Sequence, residues 1–120
     1  MIGVRADLKV VVASQPIDFR RGIHGLVALV SDALKFDPYC GTVFIFRSKR
    51  RDRLKMIAWD GTGMVLVTKW LESGQFTWPA INDGVICLSA AKMAMLVEGL
   101  DWSRVSSPPV KQPRILAWSC

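Results

Sequence analysis

Apolar positions along the chain fall into short β-branched runs divided by turn residues, with a helical period near each end. "LKVVVA" (8–13) reads as a strand. Pro16 breaks it, and Asp18 is placed to cap a helix. Ile23, Leu26, Val27, Val30 and Leu34 then recur at i, i+3, i+4, i+7 and i+11, a one-sided helical stripe with Asp32 on the outer side. Gly22 and Gly25 fall in the first turns, where each costs roughly 1 kcal/mol against alanine. Such a cost implies either close packing of another backbone against the helix or a ligand reaching it.

"KFDPYCG" ends the helix, because Pro38 disfavours helical geometry at Asp37 and Gly41 supplies a turn. Three strand-like runs follow: "TVFIFR" (42–47), "RLKMIAW" (53–59) and "MVLVTKWLE" (64–72). "SKRRD" joins the first to the second and "DGTG" the second to the third. Asp60-Gly61 is a favoured tight-turn pair, so 53–72 is the strongest local hairpin. "FTW" is a candidate additional strand before Pro79, residues 79–84 form a loop, and "VICL" returns as a short strand. Ser89 is placed to cap a last helix through Leu100, with Met93, Leu96 and Val97 as its apolar stripe and Gly99 near its end. A run of strands with a helix near each end predicts an α+β single domain, a curved, mainly antiparallel sheet of about five strands with two packed helices. The expected domain covers residues 1–102. The stretch 103–120, rich in proline and serine, reads as an irregular C-terminal tail.

Composition narrows the class. A chain of 120 residues that is 51% hydrophobic fits one domain with a true core. No run of 18 apolar residues suggests a membrane span, and the opening residues do not resemble a signal peptide. Cys40, Cys87 and Cys120 are odd in number and widely spaced, which fits reduced thiols better than a disulfide framework. The single histidine, His24, lacks a ligand-type neighbour one turn away, so no metal site is expected there. The expectation is a soluble, basic, cytoplasmic protein without a membrane partner.

Charge changes the picture more than composition does. The chain carries a formal +6, and "RSKRRDRLK" (47–55) contributes six basic residues and one acidic one to it. Arg47, Lys49, Arg50, Arg51, Arg53 and Lys55 therefore lie on or beside one hairpin turn. A cationic two-stranded ribbon can lie along a phosphate backbone or enter a groove. The plainer alternative is a solvated loop whose charges deter edge aggregation. Arg20 and Arg21 in "DFRRG" would fall in a first helical turn, where the macrodipole disfavours cations. Their partner is either a phosphate or an internal carboxylate, and an ion pair such as Asp18 with Arg20 is the favoured reading.

The local phrases also occur in a recognisable order. "PIDFRRGIHGLVALV" (16–30), "DPYCGTVFIFRSKRRDRLKMIAWDGTGMVL" (37–66), "KWLESGQFTWP" (69–79) and "LVEGLDW" (96–102) resemble the accessory-protein family of bacterial IS-66-type insertion sequences. This is the product of the element's second reading frame, often called TnpB and distinct from the RNA-guided nuclease of that name. The resemblance implies an accessory role beside the element's transposase, which carries the catalytic residues itself. It implies no catalytic residue here. The positions matching the family phrases are Asp18, Arg20, Gly22, Phe46, Arg47, Asp52, Arg53, Lys55, Trp59, Asp60, Gly61, Gly63, Phe76, Trp78 and Pro79.

The remaining constellations are weaker. Trp59, Trp70 and Trp78 sit in or beside strand-like runs and are expected in core or interface packing rather than base stacking. Asp18, Asp52, Asp60, Glu72 and Asp83 could be imagined as nuclease carboxylates, and "DRLK" approaches an acid-spacer-lysine element. Arg53 holds the place where that element needs its acid. With no phosphate-cradling glycine loop and no pairing of nucleophile with base, no enzyme activity, cofactor or metal is expected. The reading is a non-catalytic transposition factor that holds DNA at 47–55, with Arg20 and Arg21 nearby and weak sequence preference, and that contacts the transposase or a second copy of itself. The alternative is a protein-interaction module that assembles with the transposase or itself and touches no nucleic acid.

Overall fold

"VVVA" and "VFIF" have no polar alternate position, as expected of strands covered on both faces. A computed structural model, describing residues 8–80 and 84–103, shows how they are covered. In chain order the elements are β1 (Val10–Ala13), α1 (Ile23–Ala28) running on into a π-helical turn (Leu29–Ala33), β2 (Val43–Arg47), β3 (Arg53–Trp59), β4 (Met64–Trp70), β5 (Val85–Leu88) and α2 (Ala90–Val97). The five strands form one sheet in the order β4-β3-β2-β1-β5. β1 and β2 are parallel, with Val10 opposite Val43, and α1 supplies the crossover that parallel neighbours need. The other three pairings are antiparallel, so the α+β class and the mostly antiparallel sheet stand.

Side-chain alternation splits the core into two layers. Val11, Ala13, Phe44, Phe46 and Ile57 face α1 and bury Leu26 and Val30 against them. Val10, Val12, Val43, Ile45, Leu54, Met56 and Ala58 face the other way, onto Met93 and Leu96 of α2 and onto Phe76, Trp78 and Trp102. The two helices thus cover opposite faces of the sheet.

Local signals mostly act as their chemistry dictates. Ser89 caps α2, its Oγ accepting from the Lys92 N–H at 3.1 Å. The helix ends three residues before Leu100. There the N–H of Leu100 donates to Met95 and that of Gly99 to Leu96, a Schellman closure with Gly99 at φ +80°. Lys69 donates to the Val97 carbonyl at 2.7 Å and ties this helix end to β4.

Three expectations fail. Asp18 does not cap α1. Gly22 is the N-cap, in extended geometry and without a side-chain bond, because the Asp18 carboxylate is occupied by Arg20. No other backbone crowds the glycines: nothing among the described residues approaches a Cβ at Gly22, and at Gly25 the nearest atoms are the stem of Arg21, at 3.5 Å. "FTW" adds no strand, since β4 ends at Trp70. The chain turns through Gly74 (φ +78°) and crosses to the β2–β3 turn, where Phe76 and Trp78 enter the core instead of joining a ladder.

Cys87 is exposed, and partial burial pushes its thiol pKa up. The Cys40 sulfur lies 3.3 Å from the Thr42 hydroxyl. Cys120, Trp118, Asp83 and the expected tail beyond Ser103 lie outside the described residues.

Candidate nucleic-acid interface

β2 and β3 are long enough to carry their connecting turn to one end of the sheet, and its sequence makes that end cationic. The Ser48 N–H donates to the Arg53 carbonyl at 3.2 Å and the Arg51 N–H to the Ser48 carbonyl at 3.3 Å. Arg51 sits in the left-handed region at φ 70°, uncommon for a residue with a Cβ. The backbone around it is held from outside. The Arg51 carbonyl accepts from the Phe76 N–H and from the Trp78 indole, both at 3.0 Å. The Gln75 amide donates to the Arg50 carbonyl at 3.1 Å, and the Leu71 N–H to the Asp52 carbonyl at 2.8 Å. Residues 71–78 therefore strap the turn to the core.

Of the basic residues on this hairpin, Lys49, Arg50 and Arg51 are exposed. Their side chains make no hydrogen bond or ion pair among the described residues. Arg47 is only 3% exposed. It donates from Nε to the Ser14 carbonyl and from NH1 to the Ser48 carbonyl, each at 3.3 Å. Burial, and then the charge of Arg51, push its pKa down, yet an arginine stays charged at neutral pH. Arg47 thus serves as an internal tie between the turn and the end of β1. Arg53 is half-buried, 3.8 Å from the Asp52 carboxylate, with its guanidinium 3.6 Å from the centroid of the Trp70 ring.

Lys55 ties the second cationic segment to the first. Its Nζ donates to the carbonyls of Phe19 at 2.7 Å and Arg21 at 2.8 Å, and lies 4.6 Å from the Phe19 ring centroid. The Ile17 N–H donates to the Arg47 carbonyl at 3.0 Å. Residues 17–21 are thereby fixed beside the base of the 47–55 hairpin, so the two basic patches of the sequence share one end of the sheet. Arg20 and Arg21 precede α1 rather than occupying its first turn. Arg20 is paired: its Nε lies 3.1 Å and its NH2 2.8 Å from the two Asp18 oxygens. That side-chain bond is the largest of the influences holding the Asp18 carboxyl well below the usual carboxylate range. Arg21 is exposed, with NH1 3.4 Å from the Gly25 carbonyl.

Sequence reasoning did not find the strap. "SGQFTWP" was a matching phrase with no assigned role, and its turn residues gave no sign that the following aromatics would reach a hairpin twenty-five residues back. The tryptophans divide. Trp78 and Trp102 are buried, Trp59 packs edge-on against Tyr39 with centroids 5.5 Å apart, and Trp70 is 63% exposed. His24, the second residue of α1, lies on an open groove with Asp32, Asp37 and Tyr39. Among the described residues no group of three or more His, Cys, Asp and Glu could hold a metal ion, and no helix is long and apolar enough to cross a membrane.

Compared with known families, residues 8–107 match the family described as IS66 Orf2 like protein. The chain belongs to that family. Membership points to an accessory role in transposition of IS66-type elements, in association with their transposase. The chain is 56% identical over 117 residues to the uncharacterized protein y4jC of Sinorhizobium fredii, covering 98% of this chain and all of that one. It is 38% identical over 96 residues to y4hO of the same organism, also uncharacterized, covering 80% and 84% of the two chains. No solved structure matches. All the residues of the strapped hairpin and of the 17–21 segment fall inside the matched span of this IS66 Orf2-like chain.

Proposed function

We propose that this IS66 Orf2-like protein is a non-catalytic accessory factor that binds nucleic acid through the 47–55 hairpin and works beside the transposase in the cytoplasm. The observation that carries this is the state of Lys49, Arg50 and Arg51. They are three adjacent, exposed cations with no carboxylate partner among the described residues, on a turn whose backbone is fixed by the 71–78 strap. A fixed array loses less entropy on binding than a loose one. Arg21 extends the surface, and Arg20 adds to it when phosphate competes for its guanidinium against Asp18. Arg47, Arg53 and Lys55 support the array from within. Contacts of this kind read phosphate rather than base edges, so sequence preference is weak.

The test is a salt titration of binding to a labelled duplex by wild type and by a variant with Lys49, Arg50 and Arg51 all changed to alanine. The expected result is weaker binding and a log–log salt slope flatter by about three units, with the melting curve unchanged. Equal affinity and slope in the two proteins would overturn the reading. In that event the tip meets an acidic surface of the transposase, and association with the transposase falls in the same variant.

A further inference from the structure

We infer that Trp70, backed by Arg53, is a stacking platform for an unpaired nucleobase, so that the nucleic acid taken up by the tip is single-stranded. The inference rests on the nucleic-acid reading of the tip and adds to it the class of strand.

Trp70 is the last residue of β4, an edge strand, and sits directly opposite Arg53 in the ladder. Alternation places it with Met64, Leu66 and Thr68 on the α1 face of the sheet. Met64 and Leu66 pack against the core there, but Thr68 and Trp70 do not, and Trp70 remains 63% exposed. Among the described residues the other large exposed hydrophobics are Tyr39 and Leu100. Tyr39 rests edge-on against Trp59, at the opposite end of β3 from the tip, and Leu100 closes α2.

One face of the indole is already taken. The Arg53 guanidinium lies 3.6 Å from the ring centroid, within cation–π range, and Asp52 lies 3.8 Å from its Nε. The ring is thus backed by a half-buried cation, and its solvent exposure belongs to the outward face and edges. A flat aromatic face held in place and open to water suits base stacking, which every base can provide. The distance to the tip is short along the hydrogen bonds. Trp70 pairs with Arg53, and the next residue, Leu71, donates to the Asp52 carbonyl at 2.8 Å. A strand whose phosphates lie on Lys49, Arg50 and Arg51 therefore passes the indole. Duplex DNA offers the same phosphates but keeps its base faces stacked inside, so it gains nothing from Trp70.

The experiment measures fluorescence anisotropy of a labelled single-stranded oligonucleotide and of the matching duplex. It uses wild type, Trp70→Ala, Trp70→Phe and the triple alanine variant of Lys49, Arg50 and Arg51, each checked for an unchanged fold by circular dichroism. Wild type is expected to prefer the single strand. Trp70→Ala should weaken single-strand binding by roughly 5- to 100-fold at constant salt slope, and leave duplex binding within about twofold. Trp70→Phe should recover most of the loss. The triple variant should weaken both ligands and flatten the single-strand slope by about two units. Unchanged single-strand affinity in Trp70→Ala, with the triple variant still impaired, would overturn the platform and leave the tip reading intact. Should that same substitution instead abolish association with the transposase, Trp70 is a protein contact and the inference is wrong. No binding of either oligonucleotide by wild type would overturn both readings.

Discussion

The indole N–H of Trp78 donates to the backbone carbonyl of Arg51 at 3.0 Å, joining a buried core residue to the most conformationally unusual position of the cationic turn. Trp78 is 6% exposed, whereas Arg51 stands in solvent. The bond converts core packing into placement of charge: whatever fixes Trp78 among Phe76, Met93 and Trp102 also fixes the direction of the turn.

Changing Trp78 to phenylalanine keeps an aromatic ring and removes the donor. The Arg51 carbonyl keeps its bond from Phe76, so the cost is that of one hydrogen bond plus a small void, about 1–2 kcal/mol. Urea denaturation measures it, and amide exchange at Phe76 should quicken. Stability equal to wild type would show that the bond contributes nothing net.

Lys55 holds the 17–21 segment through two carbonyls. Lys55→Met keeps the apolar stem and leaves both carbonyls to water, at a cost of about 1–2 kcal/mol after discounting for solvent access. Amide exchange of residues 19–22 should rise more than that of β3. A uniform rise across both would mean that the lysine acts on the sheet and not on the loop.

Asp18→Asn releases Arg20 from its carboxylate. On the nucleic-acid reading, the freed guanidinium should tighten duplex binding and steepen the salt slope by up to one unit. The pair lowers the carboxyl's folded pKa, so its contribution is present above the ordinary carboxylate value and is lost only as pH falls through the folded one. It is therefore intact throughout pH 5–8, and the variant should differ from wild type across that whole range.

Asp60 closes the β3–β4 turn, one carboxylate oxygen accepting from the N–H groups of Thr62 and Gly63, both at 2.9 Å. These bonds, that of Thr62 foremost, pull its pKa below 3.8. A depressed carboxyl stabilises the fold above its unfolded pKa and ceases to do so as pH drops through its folded one. Asp60→Ala should therefore lower the melting temperature at pH 7, with the difference shrinking as pH falls from 5 toward 2. A difference independent of pH would assign the effect to turn geometry alone.

Much of this was legible in the sequence because the signals were local. Asp60-Gly61 marked its hairpin, the β-branched runs marked β1 to β5, and Ser89 marked the start of α2. The parallel pairing of β1 with β2 was not legible, because Val10 and Val43 meet only through a crossover that leaves no mark on either strand. Nor was the division of labour among the basic residues. Arg47 and Lys49 look equivalent in a charge run, yet alternation turns Arg47 inward beneath the turn while Lys49 lies beyond the last ladder pair. The capping role expected of Asp18 failed because a neighbouring guanidinium outcompeted the helix backbone for its oxygens.

The sheet order also sets a timetable. β1, the first of these strands to leave the ribosome, lies between β2 and β5, and β5 is the last strand made. α2, which covers Val10 and Val12, follows later still. Between the completion of the strap at Trp78 and the arrival of β5 and α2, the nascent chain therefore carries a finished hairpin and turn beside a β1 strand with one bare edge and one uncovered face, a species prone to self-association. A message cut short before Val85 would leave the protein in that condition permanently.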